Sequence, residues 1–120
     1  MLKTLERVAQ QIDVEEEEGL FGGPDDPLRV LADRLAEAIL LEPELPLRAI
    51  KVARADLPEG ECEQLQIGFY LKLACGPKDA FKWLDRLSYR QYEIDQSLAE
   101  EERQLFARTF NVGINWEKRE

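Results

Sequence analysis

The chain has no histidine, only two cysteines and a single methionine in 120 residues. Without an imidazole there is no His general base, no Ser-His-Asp or Cys-His nucleophile, and no ligand set for nearly all zinc sites. Cys62 and Cys75 do not form a C-x-x-C pair, which excludes a zinc ribbon and a thioredoxin-type centre. On one extended strand their thirteen-residue separation corresponds to roughly 40 Å, far beyond disulfide reach. Two unpaired thiols fit a reducing compartment. Positive charge is also scarce: 16 Lys and Arg face 25 Asp and Glu, a net charge of −9. A chain so acidic is a poor ligand for nucleic-acid phosphates or an anionic bilayer, so neither nucleic acid nor direct membrane contact is expected. No apolar run approaches the roughly 18 residues of a bilayer span, and the charged amino terminus has no apolar signal core. The expected compartment is cytoplasmic as the sequence stands, or periplasmic if it is an excised domain.

What is present is an ordinary globular composition, 44% hydrophobic and 34% charged, enough for one domain with one core. Leu2, Leu5, Val8, Ala9 and Ile12 recur at helical spacing, predicting a helix over 2–13. Glu15 to Glu18 and the Gly/Pro-rich stretch Gly19 to Pro27 then read as a linker. Residues 1–26 are therefore expected to be a helix and acidic linker appended to a domain spanning 27–120. Asp26 and Pro27 suit the N-cap and first turn of a second helix, with Leu28, Leu31, Leu35, Ala38, Ile39 and Leu41 as its apolar stripe. Strands follow at about 47–56 and 62–75, joined by a turn at Pro58-Glu59-Gly60. In the second strand every odd position from Leu65 to Cys75 is apolar, the mark of a sheet with one buried face.

Gly76-Pro77 opens a further helix with Ala80, Phe81, Trp83, Leu84 and Leu87 inside. Tyr92, Ile94 and Leu98 read as a third strand, and Phe110, Val112, Ile114 and Trp116 alternate as a fourth. The stretch between them carries conflicting signals. Ser97-Leu98-Ala99-Glu100 matches a capping box, and Ala99 to Arg108 is rich in helix formers. Yet Asp33-Arg34-Leu35 is echoed by Asp85-Arg86-Leu87, and a 41-residue shift lays Leu57, Leu65, Phe69, Leu71 and Leu73 on Leu98, Phe106, Phe110, Val112 and Ile114. That register favours a second hairpin. The expected fold is α+β: a ferredoxin-like two-layer sandwich, an αββαββ pseudo-repeat on an antiparallel sheet, with an extra amino-terminal helix.

No catalytic, cofactor-binding or metal-binding residue is assigned. Neither the Glu15–Glu18 run nor the acidic tips at Glu59, Glu61, Glu63 and Glu100 to Glu102 has ligand spacing. Gly22-Gly23 lacks the strand and lysine of a phosphate loop. Trp83 and Trp116 continue apolar stripes and are expected in the core. Four residues are candidate protein contacts. Tyr70 and Lys72 lie on the outer strand face, where Gly68 leaves room for close approach. Leu20 and Phe21 sit in the flexible loop, as a docking motif or packed back on the domain.

The helix-strand-strand pattern over 27–117, with Trp83-Leu84-Asp85-Arg86-Leu87 between hairpins, resembles the soluble domains of bacterial type IV pilus and type II secretion assembly-platform proteins, the PilO and GspM class. The resemblance implies a non-enzymatic scaffold or adaptor that dimerises and aligns a larger machine. This chain departs from that class in having no membrane helix. A different reading is an acidic inhibitor or immunity-type protein that fills the basic site of a partner. A third is a small enzyme using carboxylates and a metal ion.

Overall fold

A computed structural model describes residues 1–55 and 65–116. The turn at Pro58-Glu59-Gly60, the Glu59, Glu61 and Glu63 tip, and Cys62 lie outside the described residues. The elements run α1 (Lys3–Val8), β1 (Asp13–Glu16), α2 (Pro27–Leu40), β2 (Leu47–Arg54), β3 (Ile67–Leu73), α3 (Pro77–Ser97), α4 (Glu100–Thr109) and β4 (Phe110–Trp116). The fold is α+β, a layer of helices on a four-stranded sheet ordered β1-β2-β3-β4.

Three corrections follow. The sheet is mixed, not antiparallel: β2 and β3 are antiparallel, but β1 is parallel to β2 and β4 is parallel to β3. The expected strand at Tyr92 to Leu98 is the end of the 21-residue helix α3 and its C-cap, and Glu100 to Thr109 is helix rather than hairpin. Local chemistry accounts for the second helix. Three glutamates fill the first turn of α4 and Arg108 sits in its last, both favourable to the helix dipole. Phe106 is 1% exposed and anchors the helix in the core. The capping box does not form. Ser97 Oγ donates back to the Ile94 carbonyl (2.6 Å), while Arg103 donates to the carbonyls of Asp95 (3.1 Å) and Leu98 (3.4 Å), clamping the α3–α4 corner.

The third correction concerns the amino terminus, which packs into the same core as the rest of the chain. Leu2 and Leu5 are fully buried, and Leu20 is 5% exposed in the same core as Leu35, Ile50 and Phe69. Helix α1 is shorter than the spacing suggested, and Asp13–Glu16, expected in the linker, is an edge strand. Two backbone donors fix this arrangement: Leu2 N–H to Glu16 Oε1 (2.8 Å) and Thr4 N–H to Asp33 Oδ1 (3.0 Å). Each satisfies a donor at the start of α1 that the helix itself leaves unpaired.

Helix α2 begins as its sequence dictates. The Leu28 N–H donates to Asp26 Oδ1 (3.0 Å), and Pro27 fills the first turn. Its stripe of Leu31, Leu35 and Ile39 shares one core with Ile50 and Val52 of β2 and with Ile67, Phe69, Leu71 and Leu73 of β3, all 3% exposed or less. Phe69 meets Phe110 edge-on at 6.0 Å, and Phe110 meets Phe106 at 5.6 Å.

Both crossover helices lie on one face, since α2 and α3 pack against each other. The crossovers β1-α2-β2 and β3-α3-α4-β4 step the same way across the sheet but run along strands of opposite direction. Helices on a common face then require the two crossovers to have opposite hands. One of them is left-handed, against a preference of about 98% for right-handed connections.

Candidate functional site

The sheet face away from the helices is the surface that sequence reasoning singled out, and its composition follows from strand register. Side chains alternate across a strand, so Tyr70 and Lys72 share the outer face of β3. Tyr70 is in register with Lys51 on β2 and Gly113 on β4, and Glu15 on β1 pairs with Lys51. Lys72 lies level with Ala49 and Asn115, and Asp13 pairs with Ala49. Two rows therefore cross the sheet: Glu15, Lys51, Tyr70, Gly113, and Asp13, Ala49, Lys72, Asn115. A shallow depression over them is lined by Asp13, Glu15, Lys51, Tyr70, Lys72 and Asn115. Two lysines face two carboxylates, so this surface is charge-balanced on a chain of net charge −9.

Tyr70 is not a free-standing contact residue. Its ring lies over Gly68, where an added Cβ would overlap it, and a Cβ at Gly113 would sit 3.3 Å from its Cδ1. The space that Gly68 leaves is taken by the protein's own tyrosine. At Gly68 the ring excludes any larger side chain, and at Gly113 it leaves a tight fit; neither glycine lies in the left-handed region that requires one. Lys72 is exposed beside this lid.

Of the two readings of the loop pair, the structure shows it packed back on the domain. Leu20 is a core residue, and Phe21 is half-buried with the Arg29 guanidinium 5.9 Å from its ring centre. The loop is tied to α2 by Gly22 N–H donating to Asp26 Oδ2 (2.7 Å) and by Arg29 Nε donating to the Gly22 carbonyl (2.8 Å). Its apolar side chains face inward because the helix behind them supplies the hydrogen bonds that the turn needs. Of the two expected tryptophans, Trp83 is half-buried against the core, and Trp116 is 37% exposed at the sheet edge.

A second cluster escaped sequence reasoning. Glu42, just past the end of α2, has a side chain only 4% exposed. It accepts from Arg90 Nε at 2.7 Å and lies 3.7 Å from Arg86 Nη1. Arg90 in turn donates to Glu93 at 2.9 Å. The hydrogen bond to Glu42 foremost, and then that to Glu93, holds the Arg90 guanidinium above its ordinary pKa. Arg86 also lies 5.1 Å from the Trp83 ring centre. The one signal in the sequence was the echoed Asp-Arg-Leu triplet. Arg86 reaches from α3 to the end of α2, and Arg34 reaches from α2 to Ser97 Oγ at the end of α3 (2.5 Å). The repeat thus encodes a reciprocal strap between antiparallel helices. With the guanidinium groups already paired, the cluster is structural.

Among the described residues no group of three or more Cys, Asp or Glu side chains is arranged to hold a metal ion. No described helix is long and apolar enough to cross a membrane. No protein-family model, curated protein or solved structure matches the chain.

Proposed function

We propose that this chain is a non-enzymatic scaffold or adaptor that works through protein–protein association, with a second copy of itself as its first partner. The observation that carries the reading is the one-sided layering of the sheet. Helices cover one face, while the other is a shallow, charge-balanced surface whose aromatic side chain, Tyr70, lies down over Gly68 rather than framing a cleft. Surfaces of that kind suit docking better than the enclosure of a small substrate. The helix-strand-strand order of residues 27–73 supports extending the proposal to the setting of the pilus and secretion assembly platforms, where such domains align a larger machine. Light scattering across a concentration series tests the reading: a dimer is expected, and a strict monomer at about 1 mM would overturn it.

The net charge favours a second reading, an acidic inhibitor or immunity-type protein. Strand β1 places Asp13 and Glu15 on the exposed face at one edge of the sheet, followed by Glu17 and Glu18. A basic protein partner would then bind with an affinity that falls steeply with salt, whereas the dimer proposed above would be nearly insensitive to it.

A further inference from the structure

The two edges of the sheet are built differently. Strand β1 is four residues long and carries three carboxylates, which guards it against pairing with another chain. Strand β4, at the other edge, is seven residues long and carries no charge: Phe110, Asn111, Val112, Gly113, Ile114, Asn115, Trp116. Read from its centre at Gly113, this strand is a chemical palindrome. β-branched residues flank the glycine, asparagines flank those, and an aromatic stands at each end.

We infer that β4 pairs antiparallel with β4 of a second copy about a twofold axis through Gly113, joining two four-stranded sheets into one of eight. This deepens the association reading above and rests on it. A twofold interface requires that if residue i meets residue j, then j meets i. Centred on Gly113, Phe110 meets the partner's Trp116, Asn111 meets the partner's Asn115, and Val112 meets the partner's Ile114. Registers centred on another residue leave part of the strand unpaired and oppose unlike residues. The Gly113 register uses all seven positions and matches each with its own kind.

Aromatic pairs such as Phe110 with the partner's Trp116 are among the cross-strand contacts that stabilise antiparallel ladders, and no like charges face each other. The apolar layer points the same way. It thins toward this edge, where Val112 and Ile114 are half-buried, Trp116 is 37% exposed, and Phe81 on α3 is 61% exposed with its ring 6.2 Å from Trp116. A paired strand would continue the layer. Because the far edge is guarded, the assembly closes as a dimer instead of growing into a fibre.

Asn111 and Asn115 are exposed on the open face, so charges can be placed there without entering the core. Sedimentation of the full chain is compared for the wild type, Asn111→Lys/Asn115→Lys, Asn111→Glu/Asn115→Glu, an equimolar mixture of the two, and Asn111→Lys/Asn115→Glu, with circular dichroism as the folding control. Each like-charged variant sets two repulsive pairs across the twofold and is expected to weaken the dimer about tenfold or more at low salt. The mixture should recover a heterodimer, and Asn111→Lys/Asn115→Glu should dimerise at least as well as the wild type. If the wild type is a dimer and all variants match it, the copies meet elsewhere; the β4 pairing fails while the association reading stands. Failure of the mixture to recover would overturn the Gly113 register. A monomeric wild type would overturn both.

Discussion

Replacing Gly68 by alanine should reverse its effect according to what stands at position 70. In the wild type an alanine Cβ would overlap the Tyr70 ring, and the ring is the part that can move. Swinging it off the sheet re-exposes on the order of 60–100 Å² of apolar area, which at roughly 25 cal/mol per Å² costs about 1.5–2.5 kcal/mol. In a Tyr70→Ala background the obstacle is gone. Gly68 lies within a strand and outside the left-handed region, so alanine there should stabilise by about 0.5–1 kcal/mol, through the reduced freedom of the unfolded chain. The double-mutant cycle therefore closes with a coupling of about 2–3.5 kcal/mol and a change of sign in the Gly68→Ala step. Urea unfolding followed by tryptophan fluorescence, on the wild type, both single variants and the double variant, gives the four free energies required. Equal destabilisation by Gly68→Ala in both backgrounds would show that the ring does not lie over the glycine, and the description of the outer face would fall with it.

Two further expectations test the amino-terminal third of the chain. Leu5→Ala should cost about 2.5–4 kcal/mol in the same unfolding assay, because Leu5 is fully buried. A change within about 0.5 kcal/mol would mean that α1 is the loose appendage that the linker-like sequence suggested. Asp26→Ala removes both the N-cap of α2 and the acceptor for the Gly22 N–H, and should lower stability by about 1–2 kcal/mol. Hydrogen exchange at Leu28 and Gly22 should rise together in that variant. Loss of protection at Leu28 alone would separate the cap from the loop.

The sequence made much of the fold legible, and each part for a physical reason. Strand β3 showed itself because it packs on one face only, and strict alternation has no other common cause. Helix α2 showed itself through Asp26, Pro27 and an unbroken stripe. Strand β1 did not, because only Val14 on it is apolar. The inward position of Glu16 depends on a hydrogen bond from Leu2, which no local pattern reports. At 99–108 two signals competed, and local propensity was the sound one. The 41-residue register aligned apolar residues that occur in helices and strands alike, whereas three first-turn glutamates are specific to a helix. On the outer face Tyr70 and Lys72 could be placed from alternation alone, but Lys51, Asp13 and Glu15 join them only through pairing between strands. The Glu42 cluster depends on contacts between α2 and α3, and only the echoed Asp-Arg-Leu triplet pointed to them.

The sheet is laid down in chain order, and its helices pack in chain order as well. On a chain made from its amino terminus, β1, α2 and β2 are complete before any of the second half exists, and each later element adds beside one already in place. Strand β4 emerges after every other element. The guarded acidic edge is thus present from the beginning and the uncharged edge appears only when the rest of the sheet is there to hold it. Synthesis order itself keeps the uncharged strand from meeting another chain while the domain is half made.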